Sequence, residues 1–215
     1  VTTPILFAGL GAVVADLSGV VNIALEGTML FSAFTGVVVS AFTGSAWIGL
    51  LAGIAIGALI GLILGYSHLK LGTNPVLAGI ALNLLASEGT VFLLYVVAGD
   101  KGVSSSLASK VIPEWKIPII KDIPVIGAIL GKQNALTYMS LIAVVVVYLL
   151  LYKTSFGLRL RAVGENPDAA DSVGISVHKV QFVALAISGA LAGMGGVHLS
   201  MGYVSWFSRN MTSGR

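Results

Sequence analysis

The chain has 215 residues, 56% of them hydrophobic, and a formal net charge of +3. Only 10% are charged, against about 25% in an ordinary soluble domain, so it cannot cover a water-facing surface. The lack of cysteine excludes disulfides, thiolate chemistry and Cys-ligated metals, and no basic block is dense enough for a nucleic-acid patch.

Apolar runs at 46–66, 74–98 and 135–152 approach or exceed the roughly 17–25 residues that cross a bilayer as a helix. They predict an all-α fold, a polytopic transmembrane helical bundle. Alternating segments of about ten residues, the mark of a membrane β-barrel, are absent. A short helix at about 3–15 comes first, then a polar stretch at 16–27, then an apolar segment at about 26–43. The span at about 46–67 carries Gly49, Gly53, Gly57, Gly61 and Gly65 at a four-residue step, which aligns them along one helical stripe and admits a second helix closely.

After Lys70-Leu71-Gly72 a span is predicted at about 74–98, followed by a connection at 99–134 with Pro113, Pro118 and Pro124 and patches around Trp115 and Ile126. Connections this long are often functional or exposed. A span at about 135–152, a polar loop at 153–179 and a glycine-rich span at 180–200, with Gly189, Gly193, Gly195 and Gly196, complete the chain. It begins at Val1 inside an apolar stretch and stops at Gly214-Arg215, so it reads as one transmembrane domain truncated at both ends, without a visible signal peptide. Lys153, Arg159, Arg161 and Lys179 put the 153–179 loop on the cytoplasmic side. Counting back places Lys70 inside and the 99–134 connection outside, although that connection carries Lys101, Lys110, Lys116, Lys121 and Lys132.

The 154–176 loop writes its own short helix. Asn166 is a good N-cap, Pro167 suits the first helical position, Asp168 meets the positive end of the helix dipole, and Gly174 is a stop. About two turns of isolated helix are marginal, so something should pack against them. Ala169 and Ala170 are small enough to let a partner surface approach, with Arg159, Arg161 and Lys179 anchoring the loop near the headgroups. A self-contained turn is the alternative.

In the 16–27 stretch, Ser18 and Gly19 beside Asp16 weaken the helix, and Asn22 and Glu26, four apart, are expected on one helical face. Either they bond neighbouring backbone and cap helices, or they belong to a solute path, because polar groups at membrane depth survive only when buried in protein or lining water. In the next polar span Asn83 and Ser87 share a face with Glu88 beside it. They offer hydrogen bonds to a hydroxylated solute or bind helices together. His68, His178 and His198 are scattered and give no metal site. The stretch at 127–133 is one residue short of a phosphate-binding loop and lacks its hydroxyl, and no hydrolase motif occurs. The chain therefore reads as a non-enzyme without a cofactor, and any ATP chemistry belongs elsewhere.

Three stretches resemble the permease subunits of ATP-binding-cassette importers, in the branch for simple sugars, nucleosides and branched-chain amino acids. They are Gly157-Leu158-Arg159 with Arg161-Ala162-Val163-Gly164-Glu165-Asn166-Pro167, Ala169-Ala170 and Gly174-Ile175; then Ser18 through Gly27; then Asn74 through Glu88. The resemblance spans this chain but not a whole permease, whose later membrane helices are expected beyond it. It implies that the 154–176 loop holds a coupling helix whose Gly164, Glu165, Asn166, Pro167, Asp168, Ala169, Ala170 and Gly174 meet a separate ATPase subunit. It also implies a multi-pass inner-membrane protein working by alternating access, with a second identical or different permease, a substrate-binding protein and the lipid bilayer as partners. Asn22, Glu26, Asn83, Ser87 and Glu88 are its candidate path residues. Nucleosides are the expected substrate, simple sugars such as ribose the alternative, and branched-chain amino acids the third. The rival class is an ion-driven secondary transporter with Glu26 or Glu88 as proton site; a purely structural scaffold is a third.

Overall fold

A computed structural model describes residues 2–99, 103–104, 109, 111–112, 114–115, 133–202, 204–208 and 211–212. Its helices are α1 (Thr2–Asp16), α2 (Leu25–Thr43), α3 (Ala46–Leu69), α4 (Pro75–Ala98), α5 (Ala135–Lys153), α6 (Ser155–Glu165), α7 (Pro167–Ser172) and α8 (Val177–Met201). A two-residue antiparallel pair, β1 (Glu114–Trp115) with β2 (Gln133–Asn134), precedes α5. Helices α2, α3, α4, α5 and α8 are long and apolar enough to span a membrane. Pro113, Pro118, Pro124, Ile126, the stretch at 127–132, and the lysines at 101, 110, 116, 121 and 132 lie outside the described residues.

Local chemistry sets the helix ends. Asn74 accepts a 2.9 Å bond from the Val76 amide ahead of Pro75, and Asn134 a 3.0 Å bond from the Leu136 amide. Such caps satisfy orphan donors of the first turn. Gly44 and Gly99 close α2 and α4 with φ of 66° and 71°, a left-handed conformation that glycine adopts without strain.

The α3 glycine stripe lies in the groove between α2 and α8. A methyl group on Gly57 would overlap the Gly189 carbonyl, one on Gly61 the Leu185 carbonyl, and one on Gly49 would come 2.6 Å from the Gly36 oxygen. Helix α8 replies in kind, since a methyl group on Gly189 would strike the Gly57 oxygen. Backbone therefore packs on backbone along an antiparallel pair, the close approach that small residues permit in lipid. On another side of α8, α1 also runs antiparallel, with Gly11 against the Ser188 carbonyl and Gly195 against Pro4 and Phe7.

Helix α8 is the centre of the bundle and α4 its rim: 67% of the apolar window of α8 is buried against 17% of that of α4. The outward faces of α4 and α5 thus present apolar surface to lipid or to another subunit. At one end, Phe207 packs edge-on against Phe34 at 5.6 Å, and the Asn134 amide donates to the Ile112 and Gly202 carbonyls at 3.0 and 2.5 Å. At the other end, Leu160, Val163 and Ala170 join Val14, Leu151 and Val180 in a second apolar cluster.

The 153–179 region holds more structure than the single short helix expected of it. Helix α6 precedes α7, started by Thr154, whose hydroxyl accepts from the Gly157 amide at 3.2 Å. Gly157, Leu160 and Val163 face inward at helical spacing, which buries one side of an otherwise charged segment. Helix α8 begins at Val177, ahead of the expected residue 180.

Candidate functional site

The 17–24 segment is a break between α1 and α2 lying inside the bundle. Gly19, at φ 81°, turns the chain, and Ser18, Val20, Asn22 and Ala24 are buried. Asn22 donates to the Ser188 hydroxyl at 2.9 Å, so the break reaches the level of the middle of α8, a helix long and apolar enough to span a membrane. Unpaired backbone there would cost several kcal/mol per group.

Side-chain amides take the place of the missing helix bonds. Asn22 Oδ1 accepts from the Ala24 amide at 3.0 Å, and Gln181 Nε2 donates to the Ser18 carbonyl at 3.1 Å. Asn83, on α4, donates to the Ile23 carbonyl at 2.9 Å and accepts from the Gly27 amide at 2.8 Å. The N-cap position of α2 is Ala24, which makes no side-chain cap bond, so Asn83 caps this helix from its neighbour. Asn83→Leu leaves a part-buried carbonyl and a part-buried amide without their side-chain partner and should destabilise the subunit by about 1 kcal/mol, read as a lower Tm of the detergent-purified protein. Ser87→Ala, which removes only a 2.9 Å bond from that hydroxyl to the Leu84 carbonyl, should leave Tm near wild type.

The expected pairing of Asn22 with Glu26 on one helical face does not occur, because α2 starts only at Leu25. Asn22 is 7% exposed and belongs to the break, whereas Glu26 stands exposed in the first turn of α2. Two cavities flank the break. One, of about 240 Å³, is lined by Asp16, Val21 and Asn22 among others. The second, of about 250 Å³, brings Glu26 together with Asn83 and Ser87 beside Leu30 and Ile80. Glu88 is exposed on the adjoining flank of α4 and does not line that cavity. Asp16 and Glu26 are both exposed, and carboxylates at membrane depth face protein or water rather than lipid.

The polar loop is clamped to this break. A methyl group on Gly164 would overlap the Leu17 carbonyl, and one on Gly19 would sit 3.4 Å from the Gly164 Cα. Asn166 caps α7 by accepting from the Ala169 amide at 3.0 Å, and Gly174 ends the turn at φ 84°. Glu165, Asn166, Pro167, Asp168, Ala169 and Gly174 are exposed, while Ala170 is only 4% exposed and packs into the bundle. The Arg161 guanidinium stacks 4.9 Å over the Tyr152 ring, a cation–π contact that pins α6 to α5.

Sequence reasoning missed Gln181 and Ser188, although polar residues inside an apolar span were the available signal. It also missed Leu158, 64% exposed in the first turn of α6, and Val173, 75% exposed at the end of α7.

A family model described as "Branched-chain amino acid transport system / permease component" matches residues 1–214. The chain is 34% identical to the nucleoside ABC transporter permease protein NupC of Lactococcus lactis subsp. cremoris, covering 100% of this chain and 69% of that protein. It is 36% identical to the putative glucose ABC transporter permease protein TsgC13 of Haloferax volcanii, covering 99% and 64% respectively. It is also 36% identical to the guanosine ABC transporter permease protein NupQ of Bacillus subtilis, covering 90% and 62%. The chain spans roughly two thirds of the length of these curated relatives, and no solved structure matches it. Five helices among the described residues long and apolar enough to span a bilayer and a family match over nearly every residue make this a multi-pass plasma-membrane protein that belongs to the family of permease components of branched-chain amino acid transport systems.

Proposed function

We propose that the chain is the path-forming part of an ATP-binding-cassette importer for nucleosides, working by alternating access with ATP hydrolysed on a separate subunit. The observation that carries this reading is the backbone contact of Gly164 with Leu17 and Gly19. It joins the α6–α7 loop directly to the break between α1 and α2. In this reading residues 154–176 form a cytoplasmic coupling loop, 99–134 an extracytoplasmic connection, and 1–215 a single permease domain. An ATPase groove takes the exposed surface of Glu165, Asn166, Pro167, Asp168 and Ala169. When ATP closes the ATPase, α6 shifts, and Gly164 pushes or releases the Leu17–Ala24 segment.

Asp16, Glu26, Asn83 and Ser87 then act on the solute. Carboxylates accept hydrogen bonds only, which suits ribose hydroxyls and base N–H groups. A second permease covers this polar face, since lipid cannot, and a substrate-binding protein delivers from the opposite side. Simple sugars are the second reading, favoured by the glucose permease among the relatives.

The test is uptake of labelled uridine by vesicles carrying the full-length subunit with its assembly partners, with ribose and leucine as competitors. ATP-dependent uptake competed only by nucleosides is the expected result. Flux of ribose or leucine in its place overturns the substrate, and uptake that an uncoupler abolishes while ATP is present overturns the importer.

A further inference from the structure

At the end of the bundle that carries the α6–α7 loop, a cavity of about 470 Å³ opens between the last turn of α3 and the first turn of α8. Lys70 from one helix and His178 and Lys179 from the other line it, over an apolar floor of Leu69 and Phe182. Among the described residues no carboxylate lines it. The first turn of α8 has no acidic residue, and Ser176 at its N-cap makes no side-chain cap bond. Lys70, at the C-terminal end of α3, is favoured by that helix's dipole, whereas Lys179, in the first turn of α8, stands at a positive dipole end, which is unfavourable without an anion nearby.

The turn that presents Lys70 is held rigidly. Thr73 bonds twice to the Ser67 carbonyl, through its amide and its hydroxyl; His68 Nδ1 lies 3.0 Å from the Thr73 carbonyl; and Gly72 adopts φ 66°. Lys70 thus projects from a fixed corner rather than from a loose loop. Above it on α3, at steps of four, seven and eight residues, Tyr66, Ile63 and Leu62 are exposed, and Val183 is exposed four residues above Lys179 on α8. Those spacings keep each apolar residue on the face of its lysine. The surface is therefore cationic at the membrane edge and apolar into the hydrocarbon.

We infer that this cavity binds the phosphate headgroup of an anionic phospholipid, with an acyl chain laid along the exposed faces of α3 and α8. The shared chemistry with a free phosphate ion is the phosphate charge; the apolar faces above both lysines assign the lipid. Basic pockets between membrane helices recognise anionic headgroups by this combination of charge and position.

The experiment is native mass spectrometry of the assembled transporter, released from mixed micelles holding equal phosphatidylglycerol and phosphatidylcholine. Retention of phosphatidylglycerol over phosphatidylcholine by about tenfold is expected. Lys70→Gln with Lys179→Gln should bring the ratio close to one, Lys70→Arg with Lys179→Arg should keep it, and Lys153→Gln, outside the cavity, should not change it. The same spectra report whether each variant assembles, so a misfolded variant is recognised directly. Equal retention of the two lipids by the wild type, or an unchanged preference in the double glutamine variant, overturns the inference. Displacement of the lipid by millimolar inorganic phosphate overturns the lipid assignment in favour of a free-ion site.

Discussion

Gly164→Val should lower ATP-dependent uptake by about tenfold or more while the subunit still inserts and still retains its ATPase. The added Cβ meets the Leu17 carbonyl, a backbone atom with no rotamer to give way, and lies 3.2 Å from the Gly19 amide nitrogen. Overpacking of this kind costs about 1–3 kcal/mol, and each 1.4 kcal/mol lost from a coupled step is a factor of about ten in rate. Gly164→Ala should fall between wild type and valine, because it introduces the same clash with the smallest group. ATPase retained on affinity-purified permease, measured beside uridine uptake, separates loss of transmission from loss of assembly. Wild-type uptake in Gly164→Val would show that the contact transmits nothing. Gly19→Ala tests the other side of the contact. Its φ of 81° strains any residue with a Cβ, so it should impair uptake in the same direction.

The spanning helices were legible because each is a long apolar run, and α4 and α5 also carry a start written in local chemistry, Asn74-Pro75 before the one and Asn134 before the other. The four-residue glycine step on α3 was legible as a packing stripe, but its partner was not: that Gly57 meets Gly189 is a tertiary fact. The polarity of residues 16–27 was visible, yet the expectation of one helical face for Asn22 and Glu26 failed. The cause is local. Asn22 Oδ1 captures the Ala24 amide, an alternative to helical bonding that asparagine offers its own backbone, and the helix starts only after it. Helix α6 went unread because Arg159 and Arg161 make the segment look like loop, while the inward spacing of Gly157, Leu160 and Val163 is too sparse to declare itself.

Ala169 and Ala170 are adjacent in sequence and opposite in fate, which makes them the sharpest test of the coupling surface. Ala169→Arg places a long cation on an exposed position of α7, where nothing in the subunit itself is disturbed. It should abolish co-purification of the ATPase, and uptake with it, while Tm stays within about 1 °C of wild type, as surface substitutions usually change stability by no more than about 0.5 kcal/mol. Ala170→Arg instead drives a charge into the apolar cluster with Leu160, Val163 and Val180. An unpaired charge there is strongly destabilising, so it should lower Tm clearly and lose the ATPase only because α7 has come away from the bundle. A variant that separates the two effects is Ala170→Gly, which removes one methyl group from the cluster and leaves the outer surface as it is; it should keep the ATPase bound. If Ala169→Arg still binds the ATPase normally, the exposed side of α7 is not the docking surface, and the role of the loop in coupling falls with it.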